Sequence, residues 1–256
     1  TNIMYILLSP AKTMIQPSVE IKSYENSMPF FKIKAKLIHS ALTKLSKKEL
    51  QNLMKLSNNL AEETYYNFNE WGKSNNNKYP AVLAYNGTAF KYLNPQNWSD
   101  DTSTYAQKHL IILSGLYGLL KPFDMVEKYR LEMGLKFNFL DGFKNLYDFW
   151  QQDVINYLTK FKSDKTIINL ASNEYFKVFN KYQYFDQIIN CTFLQKSNGK
   201  LKIVANHSKA ARGSLADFIL KNKITNPKQL KEYEELNYQY NSEQSDRLNF
   251  VFTREN

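Results

Sequence analysis

A mixed α/β fold is predicted for this 256-residue chain by three observations. Apolar runs of strand length recur at Met4–Leu8, His109–Leu113, Thr166–Leu170, Gln187–Leu194 and Leu248–Phe252. Longer stretches with helical periodicity lie between them, among them Phe30–Leu45, Leu146–Phe161 and Ser208–Lys221. No repeat, low-complexity tract or linker interrupts this alternation. Strands and helices intermixed along a chain bury their apolar faces by layering on one another. One domain over residues 1–256 is therefore expected, with residues 29–71 as a helical lobe on it. Hydrophobic residues at 43% and aromatic residues at 15% suffice for a core.

Met4–Leu8 reads as a buried strand ended by Ser9-Pro10, and a polar loop follows to about Pro29. Phe31, Ala35, Ile38 and Leu42 share one face of the first helix. Ser46, with Glu49 three residues on, forms a capping box that opens a second helix running to about Leu56. Ser57-Asn58-Asn59 interrupts it, and a third helix is expected from Leu60 to Trp71. After the polar loop Gly72–Tyr79, Ala81–Tyr85 reads as a strand stopped by Asn86-Gly87, and Phe90–Leu93 as a helical turn. Ser103–Lys108 is helical. His109–Leu113 is a buried strand that stops at Ser114-Gly115, and Tyr117-Gly118 keeps the following loop tight. Lys121-Pro122-Phe123-Asp124 opens another turn. Leu146–Phe161 is an amphipathic helix, Thr166–Leu170 a strand, and Asn173–Phe179 a short helix behind it. Gln187–Leu194 and Lys200–Ala205 read as a hairpin turning at Ser197-Asn198-Gly199. Helix Ser208–Lys221 and the closing strand Leu248–Phe252 complete the order.

The formal net charge is +10, and it is clustered. Residues 29–55 hold seven lysines against Glu49 alone, and residues 207–223 hold Lys209, Arg212, Lys221 and Lys223 against Asp217. Clustered positive charge is the footprint expected of a polyanion-binding surface; a solvated lysine-rich face is the bland alternative. Lysine outnumbers arginine, which argues for phosphate contact over base readout. The one cysteine, Cys191, excludes an internal disulfide and sits in an apolar run as a small buried side chain. With no signal peptide read, a reducing cytoplasmic location is expected. No apolar stretch approaches the length of a membrane span, so no membrane partner is expected.

Four strand ends open into small and polar residues: Ser9–Thr13, Tyr85-Asn86-Gly87, Ser114–Gly118 and Asn169–Tyr175. Ligands of α/β sheets bind beyond strand carboxyl ends, so these loops would converge on one cleft if their strands are neighbours. Lys12 and Asn86 stand in two of them. Arg130 and Glu132, two apart, share a side if extended, as an ion pair or a site pair. Lys209 and Arg212 project from one helix face beside Gly213 and suit a phosphate. Glu132, Glu174 and Asp124 are the carboxylates available for acid–base work. The helix–break–helix at 46–71, flanked by Lys47, Lys48 and Lys55, has the outline of a helix-hairpin-helix; its turn lacks glycine, and asparagine is the residue expected to take the left-handed position. His39, His109 and His207 are scattered, no metal-ligand spacing exists, and neither metal nor cofactor is expected. No phosphate loop, dinucleotide fingerprint or nucleophile elbow occurs.

The segments Ile6–Thr13, Leu113–Pro122, Tyr129–Gly134, Asn169–Phe176 and Lys209–Gly213 resemble the YaaA family of bacterial peroxide-stress proteins in order and spacing, over essentially the whole chain. The resemblance implies a cytoplasmic protein that limits damage from peroxide and free iron. It also implies an α/β fold with a helix-hairpin-helix element at Ser46–Trp71, and a basic cleft lined by Lys12, Arg130, Lys209 and Arg212 that binds double-stranded or distorted DNA. Two function classes stay open: a DNA-binding stress protein, and an enzyme acting on a small anionic or nucleotide-like substrate in the same cleft.

Overall fold

The structure, a computed structural model, describes residues 3–19, 24–136, 138, 140–160, 165–179, 185 and 187–255. In chain order the strands are β1 Ile3–Leu8, β2 Tyr79–Pro80, β3 Leu110–Ser114, β4 Gly118–Leu120, β5 Met125–Val126, β6 Lys165–Asn169, β7 Gln187–Ser197, β8 Lys200–Lys202, β9 Gln239–Tyr240 and β10 Asn249–Arg254. The helices are α1 Lys32–Leu42, α2 Lys47–Met54, α3 Asn58–Glu70, α4 Ala81–Ala84, α5 Thr88–Leu93, α6 Asp100–His109, α7 Leu146–Thr159, α8 Asn173–Phe176 and α9 Ala205–Lys221. The fold is mixed α/β, as predicted. No described helix is long and apolar enough to cross a membrane.

The main sheet runs β4-β3-β1-β6-β7-β10-β9, with β8 paired to the far end of β7. β3, β1, β6, β7 and β10 are mutually parallel, and β4 and β9 close the edges antiparallel. Such strands are covered on both faces, so they read as continuous apolar runs. Ile6, Leu7, Ile112, Leu113, Ile167 and Ile168 are all within 0% of accessible surface. The chain leaves β1 for β3 on one side and later returns to β6 on the other. β1 is therefore the switch point of the sheet, and the crevice beyond its carboxyl end is where an α/β sheet places a ligand.

The capping box forms as read: Ser46 Oγ accepts from Glu49 N at 3.3 Å, and Ser46 N donates to Glu49 Oε2 at 2.8 Å. The α2–α3 turn differs from expectation. The left-handed residue is Lys55 (φ 52°), and Leu56 N closes back onto Gln51 O at 3.0 Å, a Schellman-type ending. Asn58 and Asn59 begin α3, capped by Ser57.

Ala81–Tyr85 corrects the sequence reading. It is not a strand: Ala81–Ala84 form the helical turn α4, with all four residues buried. A four-residue apolar run carries no period that separates a buried turn from a buried strand. Only Tyr85 is extended, bridging Met14. The predicted last residue of the α7 helix, Phe161, lies outside the described residues, as does part of the loop to Pro29. The β7–β8 hairpin turns at Asn198 (φ 54°) and Gly199 (φ 72°), the two positive-φ positions of a two-residue hairpin.

Candidate functional site: a cleft at the switch point

A cleft of about 500 Å³ opens beyond β1 and β6. Ser9–Thr13, Asn86–Phe90 and Leu170, Ser172, Glu174 and Tyr175 line it, joined by Glu132 and, from α9, Lys209 and Arg212. Three of the four predicted loops thus converge. Ser9 ties two of them together: its Oγ accepts from Ser172 N at 2.8 Å and donates to Ser172 Oγ at 3.2 Å. α9 reaches the cleft by packing tightly on α5, and Gly213 permits that approach; a Cβ there would stand 1.9 Å from Ala89 O.

The fourth loop does another task. Ser114 is fully buried; its Oγ accepts from Tyr117 N at 3.0 Å and lies 2.6 Å from Tyr129 OH, which in turn lies 2.6 Å from Tyr85 OH. Burial pushes the Tyr129 hydroxyl up to about 12 and Tyr85 well above its ordinary value, so both are neutral hydrogen-bonding groups. This loop backs the 129–134 segment and is no ligand loop. Removing the Tyr129 hydroxyl takes a partner from buried Tyr85 and one of its two partners from buried Ser114. Tyr129→Phe is accordingly expected to destabilise the fold by about 1–3 kcal/mol, read as a lower urea midpoint.

Glu132 does not pair with Arg130. It pairs across the chain with Lys12, at 2.9 Å. Lys12 is 61% exposed, so the pair contributes little to stability and orients the cleft rim instead. Glu174 Oε1 accepts from Gly134 N at 3.1 Å, while Tyr147 OH donates to Glu174 O at 2.7 Å. Arg130 faces an adjoining depression of about 590 Å³ shared with Lys55, Lys136, Glu132 and Glu174. A smaller depression joins Lys12 to Arg130. Lys55, Arg130, Lys12, Lys209 and Arg212 therefore line a groove of neighbouring depressions that share wall residues. Lys47 lies off it, ion-paired at 2.5 Å with Glu62, and Lys48 is exposed nearby on α2. Asn86 is half-buried in the cleft wall.

Two further groups are structural. Asp124 is buried, accepting from Ser27 Oγ at 2.7 Å and Lys121 N at 2.8 Å, and burial raises its pKa. His109 ends α6, with its Nδ1 2.9 Å from Met4 O and its ring stacked on Tyr105. Cys191 is buried in β7, its thiol pushed up to about 12 by burial against the opposing charge of Arg212. Burial thus disfavours its thiolate form. Among the described residues no cluster of His, Cys, Asp and Glu could hold a metal ion. Sequence reasoning missed Thr88–Phe90 of α5 as cleft wall; the paired close-approach glycines Gly87 and Gly213 were the available signal.

Fold and site together define an α/β protein with a cationic switch-point cleft and a helical lobe at one end of its groove. The family model of the peroxide stress protein YaaA matches residues 4–244, and the chain belongs to that family. It is 40% identical to a UPF0246 protein of Legionella pneumophila (strain Corby) over 256 residues, 97% of this chain and 99% of the relative. A UPF0246 protein of Colwellia psychrerythraea (strain 34H) is 40% identical, covering 98% and 99%. One from Clostridium perfringens (strain SM101) is 37% identical over 98% of this chain and 100% of its own length.

Proposed function

We propose that this member of the peroxide-stress family acts in the cytoplasm by binding DNA through phosphate contacts along the groove, largely independent of sequence. The succession of basic residues along the adjoining depressions supports this reading best: Lys55 stands at the α2–α3 turn, Arg130 and Lys12 in the middle, Lys209 and Arg212 at the far end. Its two ends fall on the two lysine-rich stretches of a chain with net charge +10. Such a surface attracts a polyanion by counterion release, and its affinity falls steeply with salt. The α2–α3 element takes the place of a helix-hairpin-helix in this reading, and distorted DNA would seat in the groove better than a straight duplex.

The test is a salt series with a straight duplex and a branched DNA of equal length. The exposed lobe is probed by Lys48→Ala with Lys55→Asn, since asparagine tolerates the left-handed backbone at position 55. Loss of two phosphate contacts is expected to lower the slope of log affinity on log salt by about 2. An unchanged slope would remove the lobe from the interface, and negligible binding near physiological salt would end the DNA reading.

A further inference from the structure

At the cleft, Arg212 holds one guanidinium nitrogen that has no acceptor. Arg212 Nε is buried and has no hydrogen-bond partner among the described residues. Burial already disfavours its charged form. Buried polar groups are normally satisfied, so an unpaired guanidinium nitrogen on a residue that lines a cavity points to a missing acceptor, and an anion is the acceptor a guanidinium takes best. Lys209, three residues earlier on the same face of α9, is exposed beside it.

The charge count limits what that anion can be. Lys12, Lys209 and Arg212 face Glu132 and Glu174 across one cavity, which leaves one positive charge in excess. That balance suits a single anionic group and opposes a run of phosphates. The carboxylates can take further donors, since Lys12 supplies one to Glu132 and Gly134 N one to Glu174. The rest of the wall mixes apolar and aromatic residues, Leu8, Pro10, Phe90, Leu170 and Tyr175, with the polar Ser9, Asn86, Thr88 and Ser172. At about 500 Å³ the cavity has the size of a small-molecule pocket, commonly about 300–1,000 Å³, and is too small to admit a double helix.

We propose that the cleft is a binding site for one mononucleotide unit. Its phosphate meets Arg212 and Lys209, its N–H and O–H groups face Glu174 and Glu132, and its ring lies against the apolar wall. Two sources carry that chemistry: a free nucleoside monophosphate, and a single unpaired nucleotide of a DNA strand drawn out of its stack. The inference rests on the orphan guanidinium and shares only its location with the DNA reading.

Calorimetric titration of the full chain with the four common nucleoside 5′-monophosphates, adenosine and inorganic phosphate tests it. At least one monophosphate is expected to bind about tenfold or more tighter than either fragment, because charge-assisted contacts and the wall act together. Arg212→Gln is expected to weaken it by about tenfold or more, and Lys209→Ala, an exposed change that leaves the core alone, by a smaller factor. Competition between the bound monophosphate and a 5′-phosphorylated single strand would identify the strand as a source; simultaneous binding would identify the free nucleotide. No monophosphate binding tighter than inorganic phosphate, or wild-type affinity in both Arg212→Gln and Lys209→Ala, overturns the site. DNA binding can persist through that failure, and nucleotide binding can persist where DNA binding fails, so the two readings fall separately.

Discussion

Gly213→Ala is expected to destabilise the protein by about 4 kcal/mol or more, the range reserved for gross steric conflict. The added methyl would stand 1.9 Å from the carbonyl oxygen of Ala89, 2.7 Å from its carbon and 3.0 Å from its Cα. Those are backbone atoms, so no side-chain rotation relieves them. α9 and α5 would have to separate, and both line the cleft. α9 is otherwise buried along most of its length, from Ser208 through Leu220, so displacing it also uncovers Leu215, Ala216 and Ile219. Since a whole domain is stable by only about 5–15 kcal/mol, the variant should show a far lower urea midpoint or fail to accumulate folded. Ala89→Gly in the same chain should not rescue it, because the obstructing atom is the carbonyl oxygen and glycine keeps it. A variant that folds with wild-type stability would mean α9 does not approach α5 as closely as described.

That close contact explains how much of the site was legible in the sequence. The parallel strands were readable because burial on both faces makes them uniformly apolar, as in Leu110–Ser114. Convergence of the Ser9 and Ser172 loops followed from their positions at the ends of β1 and β6, whereas the Asn86 loop follows the α4 turn and comes in through the Tyr85 bridge to Met14. Their neighbour relations did not, because strand order rests on long-range pairing such as Leu7 with Asn169. Strands of two or three residues carry too few side chains for a period, so β2, β4, β5 and β9 left no signal, while β8, equally short, showed through its Ser197-Asn198-Gly199 turn. Lys12 and Glu132 are 120 positions apart, so sequence spacing could offer Glu132 only its neighbour Arg130. Lys55 was hidden for a different reason. Lysine is a poor marker of left-handed backbone, and the adjacent asparagines fit that role better on propensity; the Schellman closure from Leu56 to Gln51 decided the matter locally.

The Ser114–Gly118 loop does not line the cleft but packs on the 129–134 segment, and that packing yields the second large effect. Gly115→Ala is expected to cost about 3 kcal/mol, the upper end for overpacking, and to disorganise the cleft rim at the same time. A Cβ at position 115 would lie 2.6 Å from Leu131 O, 3.2 Å from Leu131 C and 3.3 Å from Glu132 C. The strand-end turn is thus pressed flat against the backbone that carries Arg130 and Glu132. Trp150 Nε1 donates to Gly115 O at 2.8 Å from behind, so the turn cannot retreat without breaking a buried hydrogen bond. The 129–134 segment must move instead, taking Glu132 from Lys12 and Gly134 from Glu174. Stability and site geometry should therefore fail together. In the residual folded protein, nucleotide affinity is expected to drop as well, whereas Tyr129→Phe, which loosens the same segment through hydroxyl contacts alone, should lose stability with a smaller loss of affinity. Equal affinity losses in the two variants would show that the backbone contact at Gly115 has no special part in holding the rim.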